Sequence, residues 1–173
     1  KQTFGCVRYV YNKILEYRHK EYYQNNNSIN YTETSKKLTN LKAELNWLKD
    51  VSSVALQQSL RNLDSAFSNF FLGRSKYPKF KNRHRKQSFR LVNSAFKIKD
   101  GKLYIAKSKE PLNVRWSRDL DLNKINSITI SKDSADRYFV SIQGEKDIPL
   151  KKVNDNKIGI DLGLTHFCID SNG

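Results

Sequence analysis

The segment KIGIDLGLTHF, residues 157–167, sets one carboxylate, Asp161, within a run that reads as a single β-strand. In an extended strand Ile158, Ile160 and Leu162 fall on one face and Gly159, Asp161 and Gly163 on the other, because side chains alternate with a period of two. The apolar face is predicted to be buried. Glycine weakens a strand, so two glycines flanking an acid mark a face that something approaches closely, and a metal ion or a phosphate suits it. The plainer alternative is a strand end at which Asp161 opens a turn.

A second stretch with chemical potential is GRSKYPKFKNRHRKQSFR, residues 73–90. Eight cations stand among Tyr77, Phe80, His84 and Phe89 with no acid, and Gly73 and Pro78 interrupt any helical pattern. Basic side chains neutralise phosphates and release counterions, while aromatic rings offer stacking surfaces to unpaired bases. The arm is therefore expected to bind nucleic acid through Arg74, Lys76, Tyr77, Lys79, Phe80, Lys81, Arg83, His84, Arg85, Lys86 and Arg90. A solvated basic loop or a localisation patch is the bland alternative. Attraction to a membrane surface suits it less, since the stretch is not an amphipathic helix.

The formal net charge of +15 is unevenly spread. Residues 73–107 hold twelve Lys and Arg against one acid, whereas residues 108–173 balance ten against ten. No apolar run approaches the roughly 18 residues of a membrane span, and no secretory leader is evident, so the chain is expected to be soluble and cytoplasmic. Cys6 and Cys168 lie far apart without a C-x-x-C partner, which argues against a disulfide framework or a zinc site within these residues. The chain holds no methionine and begins at Lys1, which implies a start removed by processing or truncation.

The elements that must position these stretches come in a clear order. Phe4, Val7, Val10, Ile14 and Tyr17 recur at helical spacing, as do Leu38, Leu41, Leu45 and Leu48, and then Leu56, Leu60, Leu63, Phe67 and Phe70. Three amphipathic helices are predicted, with Thr32 or Thr34 capping the second and Ser52 or Ser53 the third. The exposed face of the third carries Gln57, Gln58, Arg61 and Asn62, which suit water or nucleic acid alike. Downstream the period becomes two. FKIKDGKLYIA, residues 96–106, sets Asp100-Gly101 between alternating runs, a hairpin signal because both residues tolerate positive φ in a type I′ turn. NSITISKDSADRYFVSI, residues 126–142, repeats this with a longer turn, and together the hairpins predict a small antiparallel sheet or partial barrel.

GIDLG resembles the first phosphate-binding strand of actin-like ATPases and equally the first strand of RuvC-type nucleases. An ATPase would require a glycine-rich adenosine site further on, and its strand opens its domain near the start of the chain. Here helices, a basic arm and a β-module come first. Read end to end, the sequence resembles the N-terminal part of the TnpB-type (OrfB) family, transposon-encoded RNA-guided nucleases related to type V CRISPR effectors. TFGCVRYVYNKILE (residues 3–16) resembles that family's first helix and YPKFKNRHRKQSFR (77–90) its basic proline-containing segment. ITISKDSADRYFVSI (128–142) resembles its last β-hairpin and KIGIDLGLTHFCIDSNG (157–173) its first RuvC strands.

The resemblance implies an α+β chain in three parts. Residues 1–72 would form a helical recognition bundle, 73–153 the basic arm and a small antiparallel, barrel-like wedge module, and 154–173 the start of a RuvC/ribonuclease H-like domain. It implies guide RNA and target DNA as partners, and makes Asp161 the first of three metal-binding catalytic acids, serving Mg²⁺ or Mn²⁺ in the complete parent. The family's first β-strand is expected before residue 1. The later RuvC glutamate and aspartate, with a four-cysteine zinc module between them, are expected after residue 173. Two-metal phosphodiester cleavage needs several carboxylates, so this segment alone is predicted to be inactive. Asp170 reads as a turn residue. The alternative from another class is a non-catalytic, truncated or repressor-like RNA- or DNA-binding module.

Overall fold

The computed structural model describes residues 1–117, 119–120, 124–150 and 157–171. Helix α1 spans Gln2–Asn25 and ends on Asn26, whose φ of 51° is the left-handed conformation that asparagine tolerates at a helix C-terminus. Asn26 N donates to Tyr22 O and Asn27 N to Glu21 O, closing the last turn. Helix α2 spans Tyr31–Glu44. Its cap is Asn30, not the expected Thr32 or Thr34. Glu33 N donates to Asn30 Oδ1 at 3.0 Å and Asn30 N donates to Glu33 Oε2 at 2.8 Å, a reciprocal box that satisfies two end donors at once. Thr34 is instead buried inside the helix, its hydroxyl donating to Tyr31 O.

The leucine stripe predicted as one helix is broken. The chain leaves the α-helical path at Leu45, with φ −117° and ψ 88°, and winds into a tighter 3₁₀ turn over Asn46–Asp50 that carries Leu48 into the core. Helix α3 then spans Ser53–Phe71 behind Ser52, which holds the cap position although its side chain makes no capping hydrogen bond.

Strand β1 (Gln87–Val92) emerges from the end of the basic arm, so Arg90 belongs to a sheet and not to a loop. The hairpin of β2 (Phe96–Lys99) and β3 (Lys102–Ile105) turns on Asp100 and Gly101 with φ of 50° and 70°, as a type I′ turn demands. Strands β4 (Lys124–Lys132) and β5 (Tyr138–Glu145) form the second predicted hairpin. Its turn is built on Asp133, whose Oδ1 accepts from the backbone N–H groups of Ala135 and Arg137 while Oδ2 accepts from Arg137 Nε at 2.7 Å. The hydrogen bonds and the adjacent guanidinium hold the Asp133 carboxyl below its ordinary pKa.

These strands make a three-stranded antiparallel sheet of order β1-β4-β5 and a separate β2-β3 ribbon. No barrel closes among the described residues, because β1 and β5 remain edges and β3 gains only an isolated bridge, Leu103 to Leu112. One hydrophobic core runs from helix to sheet: Val10, Ile14, Leu56 and Leu63 meet Leu91, Leu103 and Ile128, all essentially inaccessible. Phe4 of α1 meets Phe89 of β1 edge to face at 5.0 Å between centroids, fastening the helices to the sheet.

The acid-bearing segment departs from expectation. Among the described residues of this segment only Ile160–Asp161 (β6) and Ile169–Asp170 (β7) pair as strands, and Gly163 N donates to His166 O within the loop between them. Ile158, Ile160 and Leu162 are exposed, so the face predicted to be buried is open. Among the described residues no second layer covers this two-stranded ribbon, which cannot bury a face by itself.

Candidate nucleic-acid interface

The basic arm is fastened to the body by a few polar and aromatic contacts. Asn12 of α1 grips the backbone of Lys81 twice: Lys81 N donates to Asn12 Oδ1 at 2.7 Å and Asn12 Nδ2 donates to Lys81 O at 3.0 Å. Buried Gln87 donates to the carbonyls of Asn82 and Arg85 and accepts from Arg8 Nη1, at 2.7–2.9 Å. His84 N donates to Asn82 Oδ1, tightening the same loop. Neither Asn12 nor Gln87 stands out in the sequence, since a lone amide has no periodicity and its partner lies 69 residues away in the first case.

These fastenings divide the predicted contacts. Lys81 turns inward. Its ammonium sits 4.2 Å from the centroid of the Tyr11 ring, and burial pushes its pKa below the ordinary lysine value. Tyr77 docks onto the helices, edge to face with Phe67 and Phe70 at 5.5 and 5.3 Å, and its hydroxyl lies 3.4 Å from His19 Nδ1. Arg90 Nη2 donates to Gln143 Oε1 at 2.8 Å, a cross-sheet contact on β1. Arg74, Lys76, Lys79, Arg83, His84, Arg85 and Lys86 are exposed, and Phe80 is 62 % exposed. Pro78 is buried, while Lys79 beside it is exposed. A notch of about 230 Å³ opens here between α1 and the arm, with Arg8, Lys81, Arg85 and Lys86 in its lining and no carboxylate. Such a surface suits phosphodiester oxygens, approached by several cations that the backbone holds in place.

Asp161 lies elsewhere, exposed on β6. In the β6-β7 register Asp161 faces Ile169 and Ile160 faces Asp170, which puts the two acids on opposite faces of the ribbon. Among the described residues no three of His, Cys, Asp and Glu come together. A single carboxylate on that face does not by itself make a site for Mg²⁺ or Mn²⁺.

Comparison with known proteins gives this surface its context. A family model described as a helix-turn-helix domain, that of OrfB of the IS605 group, matches residues 1–27. Over 99 % of its length the chain is 44 % identical to a "Putative RNA-guided DNA endonuclease" of Streptomyces pristinaespiralis. The chain belongs to the TnpB-type (OrfB) family. A second relative, "Putative RNA-guided DNA endonuclease InsQ" of Escherichia coli, is 28 % identical over 98 % of the chain. The "Virulence protein VsdF" of Salmonella dublin is 36 % identical over 48 % of the chain and 79 % of its own length. The chain spans 44 % and 42 % of the length of the two endonucleases.

Within this TnpB-type chain the residues matched by the helix-turn-helix model are α1 and the turn that ends it. That helix supplies Arg8, Asn12 and Tyr11, the groups that hold the arm. Among the described residues no helix of this family member is long and apolar enough to cross a membrane.

Proposed function

We propose that this chain is the nucleic-acid-gripping portion of an insertion-sequence-associated RNA-guided DNA endonuclease. It binds guide RNA and target DNA in the cytoplasm, at the nucleoid, and contributes Asp161 as one ligand of a metal site whose other ligands lie beyond the described residues. The observation that carries this reading is the fixed, acid-free cationic surface of residues 74–86 in a chain 44 % identical along its length to a relative of that name. Divalent metal would supply the Lewis acidity for phosphodiester cleavage when bound. The residues of this chain bind and orient the nucleic acid. Base pairing carries sequence information in such a complex, so the protein needs backbone and shape contacts of the kind the arm offers.

The test is a salt titration of RNA binding by the chain. Replacing Lys79, Arg83, Arg85 and Lys86 by alanine lowers the slope of log K against log salt by roughly 3, at about 0.7–0.9 for each phosphate that is no longer neutralised. Lys81 is left in place because its side chain faces Tyr11. An unchanged slope refutes the arm as the phosphate-binding surface. In the full-length protein Asp161→Ala abolishes guided cutting and leaves guide-RNA binding intact, since it removes a metal ligand and leaves every cation in place. Cutting at the normal rate refutes the role of Asp161.

A further inference from the structure

Where α1 and α3 end side by side, a recess of about 220 Å³ opens beside the start of the basic arm, apart from the notch lined by Arg8 and Lys86. Its floor is Phe67, with the Arg18 guanidinium 4.1 Å from the ring centroid and held there by Asp64. Phe70 and Tyr77 stand edge to face against each other at its side. Tyr23 and Phe71 wall its mouth at 69 % and 70 % exposure, beside Tyr22 at 54 %. Asn27 and Ser28 add polar groups at the rim.

So many exposed rings at one place are not explained by the core, which is complete without them. Tyr23 packs against His19 with centroids 4.4 Å apart and the rings tilted by 44°, which supports one side of the Tyr23 ring and leaves most of it to solvent. The chain leaving this recess carries Arg74, Lys76 and Lys79, all exposed cations within five residues of Phe71 or Tyr77. Rings beside cations match a ligand that is flat and apolar at one end and anionic at the other. An unpaired nucleotide has that form: its base stacks on rings and its phosphate meets cations. Resting on the RNA-binding reading given above, we infer that the recess between the ends of α1 and α3 holds an unpaired base of single-stranded RNA, stacked between Tyr23 and Phe71, with Arg74 and Lys76 at its phosphate. A paired base in a duplex has no free face to offer, so the recess favours single strands and loops over continuous helix.

The experiment compares Tyr23→Ala/Phe71→Ala with the parent chain. Affinity is measured for a single-stranded RNA and for a perfect duplex of equal length, each across a salt series, and self-association is followed by sedimentation. Both side chains are exposed, so the melting temperature is expected to hold. The proposal predicts about a tenfold or greater loss for the single strand, little change for the duplex, and an unchanged salt slope. Equal losses on both RNAs, or none on either, overturn it. So does a parent chain that self-associates while the variant does not, with RNA affinity unaltered, because the recess is then a protein contact. A parent chain that binds RNA with a steep salt slope while the variant is unaffected refutes the recess alone. A parent chain that binds no RNA refutes the RNA-binding reading with it.

Discussion

Asn12→Ala tests whether the arm is a fixed part of the molecule or a loop that happens to lie against it. The substitution removes both hydrogen bonds that tie α1 to the Lys81 backbone, at 2.7 and 3.0 Å. Each net intramolecular hydrogen bond contributes about 1 kcal/mol, and a donor left in a half-buried position costs somewhat more, so the loss is about 2 kcal/mol. If the arm opens locally, that energy appears as hydrogen exchange at the Lys81 amide faster by about thirtyfold, at a factor of ten per 1.4 kcal/mol. If the arm opens only with the rest of the protein, it appears as a fall in Tm of about 4–8 °C, for a domain of this size. Exchange mapped by mass spectrometry together with a thermal melt distinguishes the two. The variant carries the same net charge as the parent, so its salt slope for RNA is expected to stay the same. Lys81 exchange within a factor of two of the parent, with an unshifted melt, refutes the claim that Asn12 clamps the arm.

Gln87→Leu keeps most of the side-chain volume but removes an amide bonded to Asn82, Arg85 and Arg8, and is expected to cost about 3 kcal/mol, read as a Tm lower by about 6–12 °C; a leucine variant as stable as the parent shows that packing, not hydrogen bonding, holds the loop. At the β4-β5 turn the Asp133 carboxyl has a lowered folded pKa, so its contribution is present above the ordinary aspartate value and is lost as pH falls through the folded one. Asp133→Asn, compared with the parent by urea unfolding between pH 2 and 5, is expected to flatten the acid limb of the stability profile, and parallel limbs would count against the turn assignment.

Features carried by local pattern were legible in the sequence. The three helical stripes, the Asp100-Gly101 turn and the β4-β5 hairpin follow from periodicity and from residues that tolerate positive φ, properties a short window contains. Features set by distant partners were not. The stripe through Leu45 looks continuous because leucine spacing is the same on either side of the 3₁₀ turn, and only the burial of Leu48 explains the change of path. Composition marked residues 74–90 as a set of equals, yet Tyr11 draws in Lys81, Phe67 and Phe70 take Tyr77, and β4 takes Arg90 into its ladder. Asn12 and Gln87 were invisible for the same reason. The β6 strand shows the opposite failure: alternation promised a buried face, and alternation cannot say whether a second layer is there to cover it.

Helix α1 makes its contacts with residues far ahead of it in the chain. Ser59 Oγ donates to Val7 O, Phe4 rests on Phe89, and Asn12 waits for Lys81. A ribosome adding 5–20 residues per second needs on the order of ten seconds between making Phe4 and completing the sheet that covers it. Val7, Val10 and Ile14 gain partners once α3 is made, but Phe4 stays open until Phe89 and the sheet arrive. Synthesis therefore leaves the Phe4 end of α1 open to chaperones and to neighbouring nascent chains after the helices have packed, and that end is sealed only when the sheet is made. Substitutions that weaken the Phe4–Phe89 contact should consequently reduce the yield of folded protein in cells more than they reduce the Tm of what is recovered.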